Sequence, residues 1–161
     1  MTYTRYYILV GDRSTWNISL TKNIWGFKDS TKGHWNTTNI GDLVAFYVKK
    51  PRKKIIGFGK VIRKFIDETQ FWPDEKLYGK TIWKYRFEFE ILHLLDDWKK
   101  GISVPSELIL NQGRKVIDQS IFYALMQEAD SKWGTKLHSL VPNQVENNLT
   151  SKRKEGQAIL K

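Results

Sequence analysis

The sequence predicts an α+β protein, a curled β-barrel of about five to six strands flanked by short helices. Short runs of β-branched and aromatic residues recur along the chain, short turns join most of them, and helical patterns occur near each end. A length of 161 residues, 40% hydrophobic and 27% charged, suits one globular domain. We place this domain at residues 1–140 and a polar tail or linker at 141–161.

The chain is predicted to open with a strand and a short helix. Residues 6–10 are β-branched and aromatic, as expected of a strand, and residues 16–21 follow as the helix. Ser14 or Thr15 would cap that helix, because a hydroxyl oxygen can accept a bond from its first free N–H groups. The polar residues 28–39 are typical of a loop.

A β-hairpin is predicted next. Residues 43–48 are nearly all apolar, which indicates a strand buried on both faces. The basic residues 49–54 form the tip, and residues 55–62 return as the second strand. Gly57 and Gly59 lie on one face of that strand, where they leave room for another group to approach closely.

The second half of the chain adds one more strand and a helix. Residues 68–80 are predicted to be irregular. Residues 83–91 alternate aromatic and charged side chains, which is typical of a half-exposed strand. Asp118 or Ser120 opens a helix over residues 121–131, whose apolar residues recur at helical spacing.

Charge and aromatic content favour a nucleic-acid partner. The formal net charge is +10, and 14% of residues are aromatic, including 7 Trp. Positive charge favours approach to phosphates through counterion release, and aromatic faces offer stacking surfaces for bases.

The hairpin region concentrates this charge. Residues 49–64 hold eight cations and no acidic residue. We predict that these cations bind phosphate; the alternative is a solvated hairpin tip that protects the sheet edge. The eight are Lys49, Lys50, Arg52, Lys53, Lys54, Lys60, Arg63 and Lys64.

The sequence gives little support to an enzyme. There is no Cys, and the three histidines fall in separate segments. Glu88 and Glu90 could share one strand face and hold Mg²⁺, but a solvated face that balances Lys84 and Arg86 explains them better. We therefore expect no catalytic residues, metal site or cofactor. Since no leader pattern or membrane-length apolar run occurs, we expect a cytoplasmic protein that does not contact membranes.

These segments together resemble an EVE domain of the PUA-like superfamily, which is related to YTH domains. The strongest likeness lies in Ile24-Trp25-Gly26 and in the Gly41-Asp42 turn with its aromatic strand, and the whole likeness spans about residues 5–130. Some EVE-like and YTH-like domains are the N-terminal specificity domains of McrB-type restriction proteins.

The resemblance implies a pocket for a flipped, modified base. Trp25 and Trp72 match the tryptophans that enclose methylated adenine in YTH domains, and Trp16 and Asn17 match pocket contacts from the first helix. Asn17 and Ser14 are candidates for hydrogen bonds to the base edge. A methyl group alone adds about 0.8 kcal/mol, or roughly fourfold in affinity.

For the other tryptophans, packing is the simpler expectation. Trp83 is predicted to pack on one face of the sheet, and Trp98 and Trp133 to anchor the core. Trp35 could be either pocket rim or packing.

Three functions follow from these observations. The first is a DNA-binding specificity domain for a modified base, with a motor domain C-terminal to the tail. The second is a free-standing RNA-binding protein, as PUA relatives often are. The third is an aromatic cage for a methylated lysine, which the basic charge disfavours because it would repel the ligand. The sequence favours DNA slightly over RNA.

Reversing Arg52, Lys53 and Lys54 to Glu should weaken binding to all nucleic-acid sequences alike, because phosphate contacts carry no sequence information. If four of the cations contact a duplex, log K should fall with log salt at a slope of about −3.6. A low-salt binding assay checks this, and unchanged affinity would remove the hairpin from the site.

Overall fold

A computed structural model describes residues 4–109 and 113–141 of the chain. The chain divides into two units, Met1–Ile117 and Asp118–Lys161. From residue 142 onward the predicted tail lies outside the described residues, so the boundary near 140 stays a prediction. Within the described residues, no helix is both long and apolar enough to cross a membrane.

Strands and helices alternate irregularly along the first unit, and one helix opens the second. The elements are β1 Tyr6–Gly11, α1 Arg13–Lys22, β2 Ile24–Phe27, α2 Lys32–Asn36, β3 Leu43–Val48, β4 Lys54–Ile66, α3 Pro73–Tyr78, β5 Tyr85–Leu94 and β6 Gly113–Ile117, then α4 Gln119–Trp133. The strands β2 and β6 and the helices α2 and α3 were not predicted.

The six strands form one curled, half-barrel sheet in the order β2-β5-β4-β3-β1-β6. Strands β1 and β3 are parallel, and all other neighbours are antiparallel. Register shifts interrupt the pairing of β4 with both of its neighbours, and such irregularities bend and twist a strand. The predicted α+β class and curled sheet are confirmed.

Alternating side chains of the strands build the hydrophobic core of the sheet. Tyr7, Phe46 and Phe87 are fully buried in one cluster, as the period of two in a strand requires. All six residues of β3 are buried, which confirms the strand predicted to be covered on both faces.

Helix α1 begins at Arg13, earlier than predicted, because Asp12 and not Ser14 or Thr15 is its cap. Asp12 is the N-cap residue, and its Oδ1 accepts a hydrogen bond of 2.8 Å from the N–H of Thr15. A carboxylate also favours the positive end of the helix dipole. Ser14 and Thr15, predicted as caps, instead lie in the first turn of the helix.

Two segments predicted to be irregular contain short helices. The polar residues 28–39 hold a 3₁₀ turn, Asp29–Thr31, followed by α2. Residues 68–80 hold α3, which begins at Pro73, ends at Tyr78 and is followed by Gly79 with a φ of 66°. A proline in the first turn and a left-handed glycine after the last are ordinary helix boundaries, and both were present in the sequence.

The second unit contains α4, which is longer by two residues at each end than the predicted helix. Asp130 near its end is buried and accepts hydrogen bonds from the N–H groups of Leu137 and His138 at 2.6 and 2.9 Å. The following turn is thereby fixed to the helix.

The glycine pair of β4 makes room for a phenylalanine ring and for the neighbouring strand. A Cβ at Gly59 would lie 2.8 Å from Phe46 Cζ and 2.9 Å from the carbonyl oxygen of Glu90. At Gly57 it would lie 2.5 Å from the carbonyl oxygen of His93. The predicted close approach is confirmed.

Gly59→Ala should lower the free energy of unfolding by about 1–3 kcal/mol, because the added methyl has no space between a ring and a backbone carbonyl. Gly33→Ala is the matched control, since nothing lies within 4 Å of its Cβ position. Urea unfolding of both variants measures the difference, and equal midpoints would contradict the packing described above.

Candidate base-binding cavity

The first unit contains a cavity of about 720 Å³ beside the edge strand β2. Its walls come from five stretches that are distant in sequence. They are the start of α1, strand β2 with Lys28, the residues Thr31 and His34, the segment from Trp72 to Trp83, and the start of β6.

Three tryptophans line this cavity: Trp25, Trp72 and Trp83. Gly26 lets two of them approach β2, because a Cβ there would lie 2.8 Å from both Trp72 Cη2 and Trp83 Cβ. The Trp72 indole N–H donates to Ser19 Oγ at 2.9 Å, and that of Trp83 donates to Asp74 Oδ2 at 2.8 Å. Both rings are therefore fixed by hydrogen bonds as well as by packing.

Trp25 is held in a different way. Its ring packs on Trp16, with centroids 4.7 Å apart, and its Nε1 has no hydrogen-bond partner in the described part of the chain. Trp16 is fully buried, and its own Nε1 donates to the carbonyl of Tyr47 at 2.8 Å. Stacking against a core residue thus sets the position of the Trp25 ring.

A buried carboxylate organises the segment that carries Trp72 and Trp83. Glu75 is fully buried. Its Oε1 accepts the N–H groups of Phe71 and Trp72 at 2.8 and 3.1 Å, and its Oε2 accepts those of Ile82 and Trp83, both at 2.8 Å. One side chain therefore fixes the backbone on either side of α3.

These four bonds also determine the charge of Glu75. Burial by itself would raise the pKa of this carboxyl, but the backbone N–H groups lower it below its ordinary value. The carboxylate is accordingly ionised at neutral pH. The Arg86 guanidinium lies 3.5 Å from Oε1 and donates to the carbonyl oxygens of Thr69 and Trp83 at 2.6 and 2.8 Å.

Arg86 departs from the predicted half-exposed strand. Its side chain is buried, so it does not share a solvated face with Glu88 as predicted. Glu88 instead pairs with Arg63 at 2.9 Å. The alternation of aromatic and charged residues assigned each side chain to the correct face of β5. It could not show that residues 67–83 cover one of those faces.

Acidic groups stand beside the rings in the cavity. Asp12 Oδ1 accepts from both Thr15 N–H and Ser14 Oγ. Although burial raises the pKa of Asp12, these bonds and the charge of Lys49 lower it overall, so the carboxylate is ionised at neutral pH. Asp74 is the second acidic group in the lining.

Arg114 and His34 also belong to the lining. Arg114 is 6% exposed, and its Nη atoms donate to Thr38 Oγ1 at 2.8 Å, to Thr37 Oγ1 at 3.0 Å and to the carbonyl oxygen of His34 at 2.9 Å. Its guanidinium also lies over the ring of Tyr7, 4.3 Å from the centroid. Burial, followed by the charge of Arg114, lowers the pKa of His34, so that imidazole is neutral at pH 7.

The structure brings together three of the five predicted pocket residues. Trp25, Trp72 and Ser14 line the cavity. Trp16 does not, because its ring is enclosed in the core behind Trp25, and Asn17 is exposed on α1 outside the lining. For these two residues the pocket prediction needs correction.

Trp83 and Arg114 are among the lining residues that sequence reasoning missed. Trp83 was assigned to sheet packing, yet it shares the cavity with Trp72 because Glu75 binds both segments. Arg114 lies in β6, a strand that was not predicted. Trp35, which could have been either pocket rim or packing, lies outside the lining. It packs on Tyr85 and donates to the carbonyl of Arg86 at 2.8 Å.

The predicted phosphate-binding cations do not form one surface. At about 3.3 Å per residue, β4 places Lys64 roughly 30 Å from Lys54. The hairpin tip lies near the cavity, since Lys49 N–H donates to the carbonyl of Gly11, next to Asp12, at 2.9 Å. Arg63 and Lys64 lie at the other end of β4, so the single eight-cation patch needs correction.

Glu75→Gln should lower the free energy of unfolding by about 2–5 kcal/mol, because the amide NH₂ meets backbone N–H groups that need an acceptor. The folded-state pKa of Glu75 is below its unfolded value, so its stabilisation is complete above an ordinary glutamate pKa of about 4.3 and is lost as pH falls. Urea titrations from pH 3 to 7 should therefore give a shallower pH dependence for the variant.

The control is Glu90→Gln, at an exposed position of β5. It should change stability by no more than about 0.5 kcal/mol. Parallel pH curves for wild type and Glu75→Gln would show that the buried carboxylate contributes nothing.

The fold, but not the sequence, has clear matches among known proteins. No protein-family model and no curated protein sequence matches the chain. The YTH domain of MmI1 superposes with a TM-score of 0.57 at 10% identity, over 82% of this chain and 100% of that one. Rpa0253 from Rhodopseudomonas palustris gives 0.52 at 15% identity, over 77% and 92% of the two chains.

A third match is Atu2648 from Agrobacterium tumefaciens, with a TM-score of 0.51 at 12% identity, over 78% of this chain and 92% of that one. At such identities the likeness concerns the fold alone. The predicted McrB-type restriction role has no support among these matches. The chain therefore shares its fold with a YTH domain.

Proposed function

We propose that the cavity takes up one base of a single-stranded nucleic acid, with RNA as the first candidate partner and DNA as the second. The observation that carries this proposal is the group of three indoles, Trp25, Trp72 and Trp83, around one cavity in a chain with a net charge of +10. A volume of about 720 Å³ is in the usual range for small-molecule sites.

The rings supply affinity. Stacking on an aromatic side chain contributes about 1–3 kcal/mol per base. Because Trp72 and Trp83 are fixed by their indole N–H bonds, little conformational entropy is lost when a base enters.

The two acidic groups of the lining favour a base over a phosphate at their side of the rings. The ionised Asp12 and the carboxylate of Asp74 would repel an anion but accept hydrogen bonds from an N–H donor. An exocyclic amine, as on adenine or cytosine, is such a donor. This fits the methylated adenine that the resemblance to YTH domains implies, and it gives Asp12 the edge-reading role that had been expected of Asn17.

RNA is preferred to DNA as the candidate partner for an energetic reason. Loops and ends of RNA present bases that are already unstacked, whereas a base in duplex DNA must first be flipped out at a cost of a few kcal/mol. DNA, the second candidate partner, requires the same cavity. We propose binding without catalysis in either case.

Trp83→Ala should weaken binding of a nine-nucleotide single strand about 5- to 150-fold, the equivalent of one lost stacking contact. Trp83 is half-buried, so this variant should fold more readily than replacements of the buried Trp25 or Trp72. Fluorescence anisotropy on RNA and DNA strands with one central adenine, either unmodified or N6-methylated, gives the affinities.

Trp98→Ala is the matched control, because Trp98 is also half-buried but lies outside the cavity lining. It should leave affinity unchanged. Equal affinities for wild type and Trp83→Ala would refute base capture, and tighter binding of the DNA strand would reverse the order of the two partners.

A further inference from the structure

A second basic surface begins at the rim of the cavity, away from the hairpin. We call it the lysine face: Lys32, Lys64 and Lys84. The Nζ atoms of Lys32 and Lys84 lie 5.2 and 5.5 Å from the centroid of the Tyr85 ring. Lys64 Nζ lies 4.5 Å from the centroid of Trp35.

The two rings join these lysines into one surface. Trp35 and Tyr85 pack against each other with centroids 5.5 Å apart. Three ammonium groups therefore surround one aromatic pair. They lie on α2, β4 and the residue before β5, so the tertiary fold and not the local sequence brings them together.

Two of the three lysines are chain neighbours of residues that line the cavity. Thr31 and His34 both line the cavity, and Lys32 lies between them in the chain. Trp83 lines it as well and is followed directly by Lys84. At the junction, Lys28 belongs to the lining and its Nζ is 5.7 Å from the Trp83 ring centroid.

Cation–π contact prepares these side chains to bind phosphate. The ring restricts the lysine stem, so less side-chain entropy is lost on binding, and an ammonium group has three N–H donors. Lys64 Nζ uses one of its three on the carbonyl oxygen of Asn36, 3.5 Å away. Lys32 is exposed, and Lys64 is half-buried. Lys84 is partly neutralised by Asp29, 3.4 Å away, so Lys32 and Lys64 should contribute most.

Resting on the proposed function, we infer that the strand whose base enters the cavity continues over the lysine face, which holds the phosphates of the neighbouring nucleotides. The cavity then reads one base, and this surface binds backbone without regard to sequence. The partner is a single nucleic-acid strand several nucleotides long, not a free nucleotide.

The test combines charge removal with ligand length. The double variant Lys32→Gln, Lys64→Gln removes two phosphate contacts, each of which adds about 0.7 to the salt slope for a single strand. The slope for a nine-nucleotide RNA should fall by about 1.4, which reduces its change in affinity between about 50 and about 200 mM salt roughly sevenfold. Affinity for a trinucleotide, followed by tryptophan fluorescence, should stay near that of wild type.

A control separates this effect from loss of net charge. Lys99→Gln, Lys136→Gln removes the same two charges at exposed positions outside the cavity lining, and should leave the slope unchanged. Equal slopes for wild type and the Lys32, Lys64 variant would overturn the lysine face, as would an equal loss in the control. Base capture is tested apart from this by Trp83→Ala, whose loss of affinity should be the same for both ligand lengths.

Discussion

The carboxylate of Glu75 is the group on which the cavity depends. It accepts four backbone N–H groups from two stretches of chain that precede and follow α3, and Arg86 lies against it. An ionised group in a buried position is stable only when its hydrogen-bonding capacity is met in this way. Since Trp72 and Trp83 sit on these two stretches, their separation is set by a single side chain.

Other residues of the first unit support the cavity around this group. Gly26 gives the two indoles access to β2, and the core residue Trp16 supports the third ring from behind. Asp12 serves as helix cap and as acidic group of the lining at once. Structural and binding roles thus coincide at several positions, and substitutions there must be compared with controls of similar burial.

Much of the sheet could be predicted, since its signals are local. The apolar run of β3 and the glycine pair of β4 indicated strands and close packing without any knowledge of their neighbours. Strand β6 has only five residues, including three polar or small ones, and no periodicity strong enough to indicate it. Its pairing with β1 is a long-range property of the sheet.

The site was only partly predictable for a related reason. Trp25 and Trp72 were found through family likeness, whereas Trp83 and Arg114 join the cavity through contacts between segments far apart in sequence. In the sequence, nothing distinguishes Glu75 from an exposed acidic residue of a polar segment. Its burial follows from four N–H groups whose convergence no local pattern encodes. A Pro-Asp-Glu start and a Gly end did mark α3, and could have drawn attention to that segment.

Strand β2 has four residues and lies at the end of the sheet, paired on one side with β5. Short edge strands open more readily than central ones, by local unfolding that leaves the rest of a domain intact. Trp25 and Gly26 belong to this strand, so each such opening dismantles the cavity. A bound base would suppress the opening, and slower amide hydrogen exchange at β2 would report occupancy of the cavity from the backbone itself.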